Sequence, residues 1–545
     1  MNNIRVFYSE VLNRKLFYVP LLLFAVIAYS YSIYNRTISW DDMMRDHYVG
    51  SGNIMLSGRW GMVLWCKLFG LTELQPFADR FISLLFLLLS GVLTCYLLFS
   101  IDCSKTIIHY TVFASLFVTY PLINEIWEYG VANISTTGGI CLSTLSVIIL
   151  RRNISCRQRI FIASLLLILP VSSYESAAFY YISLVLALFF YDYSCGSIIF
   201  TNFKKLFYIL LLYFVPLFNA VVLRFIISFV INSIYNLSYT SGGNTSITWL
   251  FTSFHEVITN YITYSLIDYG IKSLVYFPIT EFVILLAIFI VLLLYKLFKQ
   301  KAYMAFLLGI AFVLSLFSQS LLQGMTLPYR NAIALNLFVG FSAYYMLKEV
   351  ESVSGLFKYS TLFVLICFCV HQSFYMNKLL CLNNQRSENE LEIVRNIGQQ
   401  LYSNFDKKPV VFVSPYAIGP WVRNEVYFDE TTWNGHLFSN LRNKLIVEND
   451  ISGKYNKFVE TDVNCCTEQY ASLKNIFSYL GYEINIVGPT ERPSTPEYGH
   501  KEMTLLRKAT KESKQLGMRP YQMVDRGDYI IVKMGETVYY EDFIN

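Results

Sequence analysis

Residues 37–61 read TISWDDMMRDHYVGSGNIMLSGRWG, with Asp41 and Asp42 adjacent and Arg45, Asp46, His47 and Arg59 close behind. Adjacent like charges repel, so at least one of the two carboxylates has a raised proton affinity, which suits it to act as a general base. The stretch directly follows LFYVPLLLFAVIAYSYSIY, residues 16–34, which carries no charge. A base at the mouth of such a segment is placed to meet a substrate at a membrane boundary.

Other chemistry-bearing residues occur in similar positions. NEIWEYGVANIS (124–135) carries Glu125, Glu128 and Trp127, VSSYESAA (171–178) carries Tyr174 and Glu175, and LPYRNA (327–332) carries Arg330. Arg224 stands alone within an apolar run, where a charge is costly in lipid and calls for a partner in the bundle or for snorkelling. Trp40, Trp60, Trp65 and Trp127 fit an interfacial aromatic belt as well as they fit a ligand surface.

The elements holding these residues follow from composition. The chain is 55% hydrophobic, 17% aromatic and only 15% charged, with a mean hydropathy of +0.44. A soluble domain is typically about 25% charged. Apolar runs near the roughly 17–25 residues that cross a bilayer predict a polytopic α-helical membrane protein with about eleven spans. These are placed near 16–34, 81–100, 107–122, 134–150, 160–173, 177–191, 206–231, 278–295, 303–321, 332–347 and 359–376. The first is too long for a signal-peptide core and has no small-residue cleavage site after it. Loops 1–15, 101–106, 151–159, 192–205, 296–301 and 348–358 hold 15 Lys and Arg, whereas 123–137, 171–177 and 322–331 hold only Arg330. The positive-inside rule then sets the amino terminus in the cytoplasm. Loops 35–80 and 233–277 and the carboxy-terminal part fall on the far side.

Residues 160–191 are nearly all apolar yet flanked on both sides by basic residues, which requires two crossings. Two helices sharing so few residues reach only about 24 Å each, short of a roughly 30 Å core. Glu175 in their turn is therefore expected in a depression below the outer surface, the other reading being a solvated turn.

The expected domains are 1–376, membrane-embedded with loops 35–80 and 233–277, and 377–545, a soluble α/β domain. The latter combines a polar helix (ENELEIVRNIGQQLYSN), strand-like PVVFVSP, EINIVG and DYIIVKM, a second helix (YASLKNIFSYLGY) and a loop, GPTERPSTPEYGH. Of eleven cysteines, only Cys381, Cys465 and Cys466 fall where a disulfide could form. P-loop, HExxH, GxSxG and CxxC motifs are absent and the six His are scattered, so nothing points to ATP hydrolysis or a metal site. The net charge of +5 is too modest to suggest nucleic acid.

A site of this kind suits a sugar carried on a polyprenyl phosphate. The leaving group needs no general acid; a carboxylate takes the acceptor proton and a cation holds the departing phosphate. One base acting in a direct displacement inverts the anomeric centre, through an oxocarbenium-like state. No cofactor or obligatory metal is required.

Paired acids in an outward loop after the first span resemble the GT-C class of polyprenyl-phosphate-dependent glycosyltransferases. WDDMMRDHY…GRWG, SYESAAFYY after the fifth span and a tail with DYIIVKMG are similar to the phage-borne Gtr family, the serotype-converting O-antigen glucosyltransferases. The resemblance covers most of the chain. It implies transfer of glucose from undecaprenyl-phosphate-glucose to an O-antigen repeat of lipopolysaccharide, on the periplasmic face of the bacterial inner membrane. Companion proteins, a donor synthase and a flippase, would make and deliver the donor. It further implies Asp41 or Asp42 as base, and Arg59 or Arg330, with Arg45 as a further option, on the donor phosphate. Tyr174, Glu175 and Glu128 would ligate sugar hydroxyls, and Trp40 and Trp127 would stack on the rings. Lys533 would reach acceptor or phosphate, unless it is a solvated strand lysine. The tail would close over the site and read the acceptor, and Gly242 and Gly243 would hinge a lid in 233–277.

A lipid-linked oligosaccharide flippase is the rival from another class. It would place its site near the bilayer midplane, whereas here the ionisable residues crowd one face. An O-antigen polymerase or lipid A modifier would share the architecture. A pure scaffold leaves the acid cluster unexplained. Asn-X-Ser/Thr sequons at Asn35, Asn133, Asn153, Asn236 and Asn244 would matter only in a eukaryotic secretory protein.

Overall fold

The computed structural model describes residues 2–35, 49, 53–56, 58–73, 75–102, 106–128, 130–196, 203–234, 252–263, 265, 280–324, 331–351, 355–404, 408–413, 474–487, 500–513, 516 and 521–533. The chain divides into two compact units, Met1–Arg36 with His47–Leu380, and Thr37–Asp46 with Cys381–Asn545.

The first unit is a helical bundle. Its helices are α1 (Lys15–Tyr34), α2 (Trp60–Leu68), α3 (Pro76–Asp102), α4 (Ile107–Thr119), α5 (Asn124–Glu128), α6 (Gly130–Leu150), α7 (Cys156–Ser173) and α8 (Ser176–Ser194). They continue with α9 (Phe203–Ile234), α10 (Phe254–Ile262), α11 (Thr280–Phe298), α12 (Tyr303–Ser315), α13 (Ser318–Gln323) and α14 (Ala334–Val350), and with the first part of α15 (Gly355–Asn404), whose residues from Cys381 on belong to the second unit. Each expected span overlaps a helix among the described residues, of which eight are long and apolar enough to cross a membrane, fewer than the eleven expected. The difference has a local cause. Helix α4 stops at the Tyr120–Pro121 turn after 13 residues, and α12, also 13 residues, breaks before α13. Helix α14 is 17 residues long and carries Asn336, Ser342 and Lys348. It is the central helix, with Leu335, Leu337, Phe338, Phe341, Tyr344 and Tyr345 all buried.

The end of the bundle where α3, α6, α8 and α14 finish is stitched by ion pairs. Arg151 holds Asp192 in a fork at 2.7 and 2.8 Å. Asp102 accepts from Tyr191 (2.7 Å), Tyr344 (3.2 Å) and Lys348 (3.1 Å). Lys296 meets Glu349 at 3.0 Å. Several of the basic residues on which the expected orientation rests thus also lock helices together.

At the opposite end, where α1 finishes, the bonds position loops. Buried Arg80, at the start of α3, donates to the carbonyls of Ser32 and Asn35, both at 2.6 Å. It neutralises the negative end of the α1 dipole and satisfies carbonyls without an intrahelical partner. The carboxy-terminal turn of α1 is therefore held in place. Hydrogen bonds to charged groups contribute about 1.5–3 kcal/mol, so Arg80→Met is expected to cost about 2–4 kcal/mol. A lowered melting temperature and reduced turnover of the detergent-solubilised protein would check this.

In the second unit, β1 (Val410–Val413) pairs in parallel with β3 (Ile530–Lys533), which pairs antiparallel with β2 (Gln522–Asp525), in the order β1-β3-β2. The hairpin turn uses Gly527 at φ +85°, whose N–H donates to Asp525 Oδ1 at 2.8 Å. Residues of EINIVG contribute a single parallel bridge, Val410 to Ile486, rather than a full strand. Helix α16 (His500–Ser513) packs on β1 and β3. Most of the loop GPTERPSTPEYGH, together with Gly242, Gly243, Cys465 and Cys466, lies outside the described residues, and among the described residues Cys381 has no disulfide partner.

Candidate active site

Three charged side chains converge where α7 turns into α8. Glu175, between Ser173 and the start of α8, accepts from Arg59 at 3.1 Å through one carboxylate oxygen and from Arg224 at 2.8 Å through the other. All three are largely enclosed, with side-chain exposures of 22% for Arg59, 11% for Arg224 and 14% for Glu175. Burial pushes the Glu175 carboxyl up, but the two guanidiniums outweigh it and hold the group below the usual carboxylate range. Glu175 is therefore an anion with both oxygens occupied.

The surroundings fix this arrangement. Arg59 immediately precedes α2, a short helix seated on α6 and α7, and its side chain is directed to Glu175 rather than to capping that helix. Trp65 lies against Gly138 so closely that a Cβ there would stand 2.7 Å from its ring, so only glycine admits the helix at that depth. Gly58, in the left-handed region at φ +74°, turns its carbonyl toward Arg224 Nε at 3.3 Å. Arg59 also lies 5.5 Å from the centroid of the Tyr174 ring. The Tyr174 hydroxyl donates to Asn331 Oδ1 at 3.0 Å, tying down the chain neighbour of Arg330. Buried hydroxyls of Ser176 and Ser228 and the Trp60 indole N–H have no hydrogen-bond partner among the described residues. Ser228 Oγ lies 3.6 Å from where a Cβ on Gly58 would stand, beside the Arg224 guanidinium.

The site is recessed. Arg224 stands ten residues before the end of α9 at Ile234, about 15 Å by helical rise. Helices α7 and α8 have 18 and 19 residues, about 27 Å and 28 Å, slightly longer than expected because α7 takes in the basic flank at Arg157 and Arg159. An enclosed, cation-rich recess with unpartnered donors can bind an oxyanion of a substrate whose apolar part lies among the helices.

The structure brings together Arg59, Tyr174 and Glu175 and adds Arg224, whose role the sequence leaves open; Arg80, which the sequence does not single out, is held apart from them at the end of α1. Trp127 is placed elsewhere. It is 1% exposed, donates from Nε1 to Ser32 Oγ at 2.9 Å and packs 4.4 Å from Tyr29, so its ring is spent on anchoring α5 to α1 rather than open for stacking. Lys533 is neither solvated nor poised toward a ligand. It is 5% exposed and donates to the carbonyls of Ser513 (3.1 Å) and Leu516 (2.7 Å), capping the end of α16. Helix α5 includes Glu128, whose side chain is not among those described. Trp40, Asp41, Asp42, Arg45 and Arg330 lie outside the described residues.

Among solved structures, the chain is similar to the crystal structure of ArnT from Cupriavidus metallidurans bound to undecaprenyl phosphate. Identity is 11% over 78% of this chain and 88% of that chain, with a TM-score of 0.43. No curated protein matches the chain. The family model described as glucosyl transferase GtrII matches residues 30–347, more than half of the sequence and all of the residues that form the recess. On that match this multi-pass helical membrane protein belongs to the glucosyl transferase GtrII family.

Proposed function

We propose that the chain is an inverting, GT-C-type glycosyltransferase that moves glucose from undecaprenyl-phosphate-glucose to a hydroxyl of an O-antigen repeat on the periplasmic face of the bacterial inner membrane. The observation that carries this reading is the guanidinium pair of Arg59 and Arg224 in a recess below the end of a membrane helix. A lipid-linked phosphate would enter at that depth, whereas a soluble nucleotide sugar has no need of it.

In this reading Asp41 or Asp42 takes the proton from the acceptor hydroxyl. The acceptor oxygen attacks the anomeric carbon from the face opposite the phosphate as the bond from that carbon to the phosphate oxygen breaks. The electron pair stays on the phosphate, so the donor, a phosphodiester with one negative charge, leaves as polyprenyl phosphate with a second one. Arg59 and Arg224 meet that developing charge in a water-poor recess, where such interactions are strong. Of the sequence-level candidates, Arg45 and Arg330 remain further donors to the phosphate and Trp40 and Glu128 remain contacts for the sugar. No cofactor is called for. The periplasmic tail would present the lipopolysaccharide acceptor, and a donor synthase and flippase would supply the lipid.

Expression with and without a donor synthase and flippase tests the reading in cells. Mass spectrometry of the O-antigen is expected to show one added hexose per repeat only when all three are present. An unmodified glycan despite membrane insertion of the chain would overturn it.

A further inference from the structure

Glu175 sits where an anionic ligand would be expected to sit, between two arginines, and yet the reading above places an anionic phosphate against the same arginines. Its charge works against that ligand, and the structure keeps it: the turn after α7 presents the carboxylate, and both oxygens are engaged at 2.8 and 3.1 Å. Ion pairs also hold the bundle at its other end, where Arg151 meets Asp192 and Lys348 meets Asp102. Next in sequence to Arg59 and Glu175, Trp60 and Ser176 bury a donor with no hydrogen-bond partner among the described residues, as does Ser228, one turn after Arg224.

The chemistry of transfer gives the carboxylate a purpose. The donor is a phosphodiester with one negative charge; the product is a phosphomonoester, which carries about 1.5–2 near neutral pH because its second pKa is about 6. A cradle of arginines alone binds the product more tightly than the substrate and is inhibited by it. A fixed negative charge within the cradle repels the extra charge of the product and leaves the diester less affected.

We propose that Glu175 is a positioning and charge-setting residue: it holds the Arg59 and Arg224 guanidiniums in register and lowers the charge of the cradle by one, so that the site prefers the monoanionic phosphodiester donor and expels the dianionic phosphomonoester product. This rests on the reading that these arginines hold the donor phosphate. It assigns Arg224 and Ser228 to the same anion site and separates Glu175 from the sugar.

Product inhibition measures it, using the full chain in nanodiscs with undecaprenyl phosphate as the inhibitor. Glu175→Gln is expected to lower the inhibition constant of undecaprenyl phosphate about tenfold relative to the donor KM, with a fall in kcat as release slows. Glu175→Asp keeps the charge and is expected to retain the wild-type ratio. An unchanged ratio in Glu175→Gln, with kcat alone reduced, would show a merely structural role and overturn the proposal. A second measurement needs no variant: the wild type is expected to bind the methyl diester of undecaprenyl phosphate more tightly than the monoester, and the reverse order would overturn the proposal. Failure of both lipids to compete with the donor would instead remove the reading on which it rests.

Discussion

Arg224→Met is expected to lower kcat/KM by at least about a hundredfold while the protein still inserts in the membrane. The substitution removes one of two guanidiniums that would meet the leaving phosphate, and loss of one such preorganised donor typically costs about 10²–10³ in rate. It also breaks an ion pair whose partners are only 11% and 14% exposed, well within the regime where removing one partner costs about 3–5 kcal/mol because the other charge is left behind. Here Arg59 still faces Glu175 and reduces that cost. The double variant Glu175→Gln/Arg224→Met separates the two effects. It is expected to recover most of the lost thermal stability without recovering transfer. Near-normal activity in Arg224→Met would show that this arginine serves the bundle alone.

The second large effect is expected at the paired acids. Asn in place of whichever of Asp41 and Asp42 is the base should cut kcat by about 10²–10⁴, the range that a positioned general base contributes. The neighbouring position should respond more mildly, because its charge serves to raise the proton affinity of the base. Transfer to lipopolysaccharide by each purified variant, with donor KM determined in parallel, distinguishes the two. The expected signature is a fall in kcat with KM little changed. Full activity in both variants would move the base to another acid.

How legible this molecule is in its sequence depends on the kind of signal. The helical bundle follows from repeated apolar runs, and each overlaps a helix. Span number is less legible, because a run of apolar residues does not reveal a break such as Tyr120–Pro121, nor that α14 tolerates Asn336 by being surrounded by protein and Lys348 by pairing with Asp102 near its end. The boundary expected near residue 377 from composition lies inside a helix. No Gly or Pro occurs from Leu356 to Ile397, and a single 50-residue helix runs through.

The recess at Glu175 is foreshadowed by its basic flanks and short helices. The partner of Arg224 is not, since 49 residues separate it from Glu175 and only helix phase brings them together. Arg80 reads as an ordinary charge at the edge of a span, and only its two carbonyl contacts reveal that it fixes the end of α1. Trp127 and Lys533 are the reverse case. Their residue types suit sugar stacking and phosphate binding, but burial commits each to a structural bond. Residue type names a chemistry; exposure decides whether a ligand can use it.

The most direct test of the central claim is transfer by the purified wild-type chain in nanodiscs, given radiolabelled undecaprenyl-phosphate-glucose of defined anomeric configuration and lipopolysaccharide, with no nucleotide sugar present. Label is expected to move to the O-antigen with inversion at the anomeric carbon. Retention of configuration, or transfer that occurs only when a nucleotide sugar is supplied, would contradict it.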